Sequence, residues 1–388
     1  MFGKNIKFRN FLSNNRFNKN KSILYKIYKN VIDEKNEILL SLSRNYKDSY
    51  SKKILKKINK INDIFLIGMG GSILGAKAIY NFLNPKNKKF LFVDNFSNFQ
   101  IPSKKKKIIL TISKSGNTLE TISNYNVLIK KNDENIIITQ NKKSYLMDLA
   151  KKLKFEVIHH NNFIGGRYSV LSEVGMLPAQ LMGFKPEKFR RFNLLVKKKY
   201  FMNSLIQNVS NIFDQIKSNK TNSIIINYDH KSNDLFYWYQ QLVAESLGKK
   251  GKGVLPILSK MPQDNHSLMQ YYLDGTKNNF FTLFFVHEKD SKKIKKKQLL
   301  KTHHYLKDKS LNEISYAQFV ATENVFKKKK IPFRSFLINN RNEESLGELF
   351  IFFILETILL GRIMNINPFD QPAVELIKRK TNNLLITK

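Results

Sequence analysis

Short, unbroken apolar runs alternating with segments of helical period constrain this chain more than any other feature. "DIFLIG", "KKFLFVDN", "KIILTIS", "NIIITQ" and "FEVIHH" each read as a strand, and "SILGAKAIYNFL", "TLETISNYNVLIKK" and "SYLMDLAKKL" lie between them with apolar residues at helical spacing. Continuously apolar strands separated by helices build a parallel sheet covered on both faces. A second series follows, with strands in "NSIIINYD", "FFTLFFVH" and "IPFRSFLINN" and a long helix in "SNDLFYWYQQLVAESLG". The expected organisation is α/β, with two doubly wound parallel-sheet domains over 61–190 and 205–364. A polar, helical N-terminal extension over 1–60 precedes them, and a helical tail over 365–388 follows.

Composition narrows the chemistry. There is no cysteine, so disulfides, thiolate metal sites and cysteine nucleophiles are excluded. "MFGKNIKFRNFLSNNRF" has no apolar stretch of signal-peptide length. "ELFIFFILETILLGRIM" is interrupted by Glu356 and Arg362, short of the ~20 residues a membrane span needs. It reads as a buried helix of a soluble, cytoplasmic protein. The 68 Lys and Arg against 30 Asp and Glu give a net charge of +38, which favours polyanions in general. The lysines run from end to end, as in "KKILKKINK", "DSKKIKKKQLLK" and "FKKKKIP", and are not gathered on one element. A solvated basic surface is expected, without specific nucleic-acid recognition.

Five stretches carry residue types suited to chemistry. "IGMGGSILG" sits at a strand-to-helix junction, where Gly68, Gly70 and Gly71 permit a tight turn and the next helix favours an anion. Ile73 breaks the dinucleotide pattern and Ala76 breaks the nucleotide P-loop, so either a ligand loop or a plain turn satisfies it. "TISKSGNTLE" sits at another such junction. Ser113, Ser115, Thr118 and Thr121, with Lys114, Gly116 and the helix start near Thr118, form a cradle for a phosphate. Helix capping alone accounts for one or two of the hydroxyls. "GGRYSVLSEVGMLP" carries Arg167, a fixed fork of donors, behind two glycines. "YQQLVAESLGK" places Gln241 and Glu245 on one helix face, where burial would raise the carboxyl pKa towards that of a useful base. "PQDNHSLMQ" contains His266 at the start of a helix.

Taken in order, these stretches resemble phosphoglucose isomerase. "GMGGSILG" matches the family's GxGGSxLG loop, "SKSGNTLET" its phosphate loop, "GGRYS" its GGR(F/Y)S signature and "ESLGK" its E-S-x-G-K helix end. "NHSLMQYYLDG" is similar to its QHSxxQ segment, and "FDQPAVELIK" to its FDQxxVExxK tail. The chain is short beside longer members, and Leu247, Ala373 and Ile377 stand where the family usually has Asn, Gly and Gly.

The resemblance implies two sugar-isomerase domains and the reversible conversion of glucose 6-phosphate to fructose 6-phosphate. It implies Glu245 as the base that moves a proton from C2 to C1 through a cis-enediolate. Arg167 would stabilise that charge, and His266 with Lys378 would open the ring. Phosphate would sit at Ser113, Lys114, Ser115, Thr118 and Thr121, with Gly71 and Ser72 at the sugar or phosphate end and Gln241 and Gln371 on hydroxyls. It implies no metal or redox cofactor, and a homodimer in which His266 acts in the partner's site. Two other readings are an isomerase that also accepts mannose 6-phosphate and a non-catalytic phosphosugar-binding protein.

Overall fold

The computed structural model describes residues 3–13, 20–96, 106–130, 132–295 and 299–387. In chain order the strands are β1 (Ile6–Phe11), β2 (Asp63–Gly68), β3 (Lys89–Val93), β4 (Ile108–Ile112), β5 (Glu134–Thr139), β6 (Glu156–His159), β7 (Asn222–Asn227), β8 (Leu255–Lys260), β9 (Asn279–Val286) and β10 (Phe333–Ile338). They form two five-stranded sheets, ordered β3-β2-β4-β5-β6 and β1-β10-β9-β7-β8. The first is parallel throughout. The second is parallel except for β1, which runs antiparallel along β10.

The apolar runs become strands because both sheet faces are covered. In β9, Phe280, Phe284 and Val286 join one core cluster, while Phe281, Leu283 and Phe285 join another on the opposite face. That is the period-two alternation of a strand, hidden in sequence because both sets are apolar. The larger cluster continues from the helix Leu74–Leu83 through the helix Asn233–Leu247 to the helix Glu343–Ile363. Helices of both sheet units therefore meet in this cluster, while the buried apolar residues of the first sheet's strands pack in clusters of their own.

Three features depart from the sequence reading. The N-terminal segment is not purely helical. It contains helices Lys21–Asp33, Glu37–Ser41 and Lys52–Ile58, but begins with β1. Ile6 and Phe8 are buried while Lys7 is exposed, and the Phe8 ring lies 4.9 Å from Phe336 and 5.6 Å from Phe352. Only two inward residues mark this strand, which is too weak a pattern to distinguish from helix. The second departure is β8. Pro256 lies within it, and the strand is tolerated because it occupies the sheet edge. The third is the helix Leu311–Lys328 between β9 and β10, whose capping box joins Ser310 and Glu313.

Glu356, which interrupts the most apolar segment, is fully buried and forms an ion pair with Arg334. Tyr239 Oη donates to Glu356 at 2.7 Å, and Arg334 Nε donates to Thr282 Oγ1 at 2.9 Å. A buried charge survives only when paired and hydrogen-bonded in this way. Tyr239 lies on the helix Asn233–Leu247, so this cluster fixes the helix's rotation about its axis. Leu242, Val243, Ser246 and Leu247 then face inward, and Gln241 and Glu245 lie half-buried on another face. No helix among the described residues is long and apolar enough to cross a membrane.

In the first sheet the chain begins at β2, goes outward to β3, then returns to the other side of β2 for β4. The loops leaving the carboxyl ends of β2 and β4 therefore diverge and leave a crevice, where ligands of open α/β sheets bind. "GMGGSILG" follows β2 and "SKSGNTLET" follows β4.

Candidate active site

The glycine loop brings two backbones together. After β2 the chain makes a short 3-10 turn, Gly70–Ser72. A Cβ on Gly71 would lie 2.1 Å from the carbonyl carbon of Gly166, so only glycine permits this approach. It seats the Gly166–Leu171 turn against the crevice and buries Arg167 to 3% exposure. Ser72 is half-buried, and its N–H donates to the Met69 carbonyl at 3.1 Å.

Every N–H of the Arg167 guanidinium is used. Nε donates to Ser246 Oγ at 2.8 Å. Nη1 donates to Gln371 Oε1 at 2.7 Å and to Glu245 Oε2 at 3.2 Å. Nη2 donates to the carbonyls of Pro368 at 2.8 Å and Asp370 at 3.1 Å. One side chain thus ties the first sheet unit to the helix Asn233–Leu247 and to the strap entering the C-terminal tail. Glu245 keeps 31% side-chain exposure and also accepts from Gln241 Nε2 at 3.4 Å. A carboxylate open to the crevice, beside a buried cation, is the expected geometry of a base whose reaction creates negative charge.

The loop after β4 gathers hydroxyl groups around a tight turn. Ser113 Oγ and Thr118 Oγ1 share a hydrogen bond of 2.8 Å. Gly116 N–H donates to Ser113 Oγ, and Asn117 N–H to Ser115 Oγ, both at 3.2 Å. Gly116 has φ +67°, and a Cβ there would collide with Ser144 Oγ at 2.2 Å. Thr118 precedes the helix Leu119–Leu128 but does not cap it, so capping does not explain its hydroxyl. Thr121 Oγ1 is buried and has no hydrogen-bond partner among the described residues. Burial lowers the Lys114 pKa, and the charges of Lys142 and Arg167 lower it further. Positive groups therefore converge here, and an anion would relieve their repulsion.

The structure brings together Gly71, Arg167, Gln241, Glu245 and Gln371. It places Ser113, Lys114, Ser115, Thr118 and Thr121 in the neighbouring loop, with Lys114 near enough to feel the Arg167 charge. It does not bring in His266 or Lys378. His266 is exposed beyond β8, and among the described residues no hydrogen bond joins it to the Arg167 group. Lys378 lies on the exposed helix Glu375–Ile386 and donates to Glu375 Oε1 at 2.7 Å. Of the three departures from the family pattern, Leu247 packs fully buried into the core, away from Glu245, while Ala373 and Ile377 are exposed.

Sequence reasoning missed Tyr168 and Ser246, although both stood inside quoted motifs. Tyr168 Oη bonds Ser246 Oγ at 2.9 Å and donates to the Pro368 carbonyl at 3.0 Å. A hydroxyl directly beside each singled-out charge, Arg167 and Glu245, was the available signal.

The phosphoglucose isomerase family model matches residues 12–261, well over half of the chain. The chain belongs to the phosphoglucose isomerase family. It is 32% identical over 349 residues to glucose-6-phosphate isomerase of Methanocaldococcus jannaschii, covering 84% of each chain. It is 31% identical to the enzyme of that name from Mycoplasmopsis pulmonis, again over 84% of each. Among solved structures, a Thermus thermophilus protein described as hypothetical superposes with TM-score 0.83 at 21% identity, covering 95% of both chains. A glucose-6-phosphate isomerase from Chlamydia trachomatis gives TM-score 0.69 at 20% identity, over 97% of this chain and 76% of that one. These structures agree with the two-sheet fold. Membership of the phosphoglucose isomerase family rests on the sequence relatives and the family model.

Proposed function

We propose that this chain interconverts glucose 6-phosphate and fructose 6-phosphate, with Glu245 as the single base. The observation that supports this most is the 3.2 Å contact between Glu245 and Arg167 Nη1 at the mouth of the crevice. Once the sugar ring is open, Glu245 takes the C2 proton and the released electron pair forms the C1–C2 double bond. The C1 oxygen takes up the negative charge, and Arg167 Nη1 faces it in place of a present partner. A proton passes from the C2 oxygen to the C1 oxygen, and Glu245 returns its proton to C1, leaving the ketone at C2. Carbon 1 is reduced as carbon 2 is oxidised, so the balance needs no external oxidant or reductant.

Phosphate sits in the Ser113–Thr121 loop with Lys114, and Gly71 and Ser72 border the sugar end. Gln241 and Gln371 orient hydroxyls. His266 handles the ring-oxygen proton with help from Lys378. Because the two lie outside the cluster in a single chain, His266 is assigned to the site of a partner in a cytoplasmic homodimer. Lys378 would be delivered by the tail that continues from Gln371. A phosphosugar-binding protein without catalysis would gain nothing from a half-exposed carboxylate set against a saturated guanidinium, so the catalytic reading is preferred.

The test is glucose 6-phosphate turnover by purified protein in a coupled assay. The parent should turn over, and Ser115→Ala/Thr118→Ala should raise KM by about 10²–10⁴-fold with a much smaller change in kcat, since each of the two hydrogen bonds to a charged group is worth roughly 1.5–3 kcal/mol. Inhibition by a sugar phosphate that cannot isomerise should weaken in parallel. Unchanged inhibitor affinity would place the phosphate elsewhere.

A further inference from the structure

The Arg167 guanidinium can help only if a particular edge of it meets the substrate, and the structure shows what sets that edge. Nε is committed to Ser246, and Nη2 to two backbone carbonyls of the strap. Nη1 alone is shared by two side chains, Glu245 and Gln371, which can yield to a substrate oxygen. Behind Nε lies a chain of hydrogen bonds whose direction admits one solution. A guanidinium has no acceptor, so Ser246 Oγ must accept from Nε. A carbonyl has no donor, so the Tyr168 hydroxyl must give its one proton to Pro368. The Ser246 hydroxyl is left to donate to Tyr168 Oη, at 2.9 Å. Each link is buried, with Ser246 fully enclosed and Tyr168 1% exposed. The Tyr168 ring also lies under the guanidinium at 5.3 Å and beside Phe369 at 5.7 Å. The Pro368 carbonyl closes the circuit, because it accepts from both Tyr168 and Arg167 Nη2.

We propose that the hydroxyls of Ser246 and Tyr168 are a positioning pair that turns Arg167 so that Nη1, and no other nitrogen, faces the reacting sugar. Neither residue touches substrate; both act through Arg167 and through the strap that carries Gln371. The proposal rests on Arg167 having the role given above. Burial raises the Tyr168 pKa, which keeps its proton in place for Pro368 across the physiological range.

Tyr168→Phe retains the ring contacts and removes one hydroxyl. It orphans the Ser246 proton and leaves the Pro368 carbonyl of the strap with one of its two donors. A buried group left unsatisfied costs enough to matter, and kcat should fall about ten-fold while KM stays within about two-fold. The decisive arm repeats the change in an Arg167→Lys background, where no Nε–H exists to be aimed. There the further loss should shrink to less than about two-fold, the non-additivity expected of residues that act as a unit. Ser246→Ala breaks the same chain one link earlier, should behave alike, and stands in if Tyr168→Phe melts early. An unchanged kcat in both folded single variants overturns the proposal, as does an equal loss in both backgrounds. Arg167→Lys with parental kcat would instead overturn the role of Arg167 itself.

Discussion

Glu245→Gln lowers kcat by about 10²–10⁴, the usual worth of a positioned general base, and leaves KM within a few-fold. The amide has the shape of the carboxylate, so the fold has no reason to respond. Its one oxygen can still accept from Arg167 Nη1, while its amide nitrogen replaces the oxygen that accepts from Gln241 Nε2 at 3.4 Å, a contact Gln241 recovers by turning its own amide over. What it lacks is a lone pair basic enough to hold the C2 proton between its departure and its return. On the proposed assignment, binding is carried by the Ser113–Thr121 loop, which the substitution does not touch, so the loss falls on kcat. Steady-state kinetics on the purified variant, with a melting curve to confirm folding, supplies the check. Activity within a few-fold of the parent removes Glu245 from the chemistry.

The second large effect is a recovery. His266→Ala and Glu245→Gln should each be nearly inactive alone, yet regain activity when co-expressed. The reasoning follows from placement. Glu245 lies against Arg167, while His266 is exposed past the edge strand β8. If His266 serves the partner's site, a mixed two-fold dimer collects both defects in one site and neither in the other. Random pairing makes half of the dimers mixed, so about a quarter of all sites are intact. Were both residues supplied by one chain, each site would carry one defect and the mixture would remain dead. Recovery near a quarter supports a shared site; no recovery, with mixed dimers confirmed by mass, rules it out.

How far the sequence anticipates the structure differs from element to element. β2, β4, β5, β7 and β9 are legible because central parallel strands are apolar on both faces. β8 is obscured by Pro256, and β1 by Lys7 between its two inward residues and Arg9 directly after them. Both are edge strands, where the demand for apolar side chains is weakest. The loops of the site are legible because glycine and hydroxyl residues cluster at strand-to-helix junctions. Their mutual geometry is not, since Arg167 gives two of its five hydrogen bonds to backbone carbonyls, which every residue possesses. The roles of His266 and Lys378 rest on the family pattern, because a single chain leaves both exposed.

The central claim is that one fixed carboxylate, Glu245, carries a proton from C2 to C1. Glucose 6-phosphate deuterated at C2, converted in ordinary water and stopped within one turnover, tests it most directly by NMR of the fructose 6-phosphate formed. The account predicts that the hydrogen newly arrived at C1 occupies one face only, as a mixture of transferred deuterium and protium exchanged from solvent at the carboxyl group. Arrival on both faces in equal amounts, or the absence of fructose 6-phosphate, would contradict it.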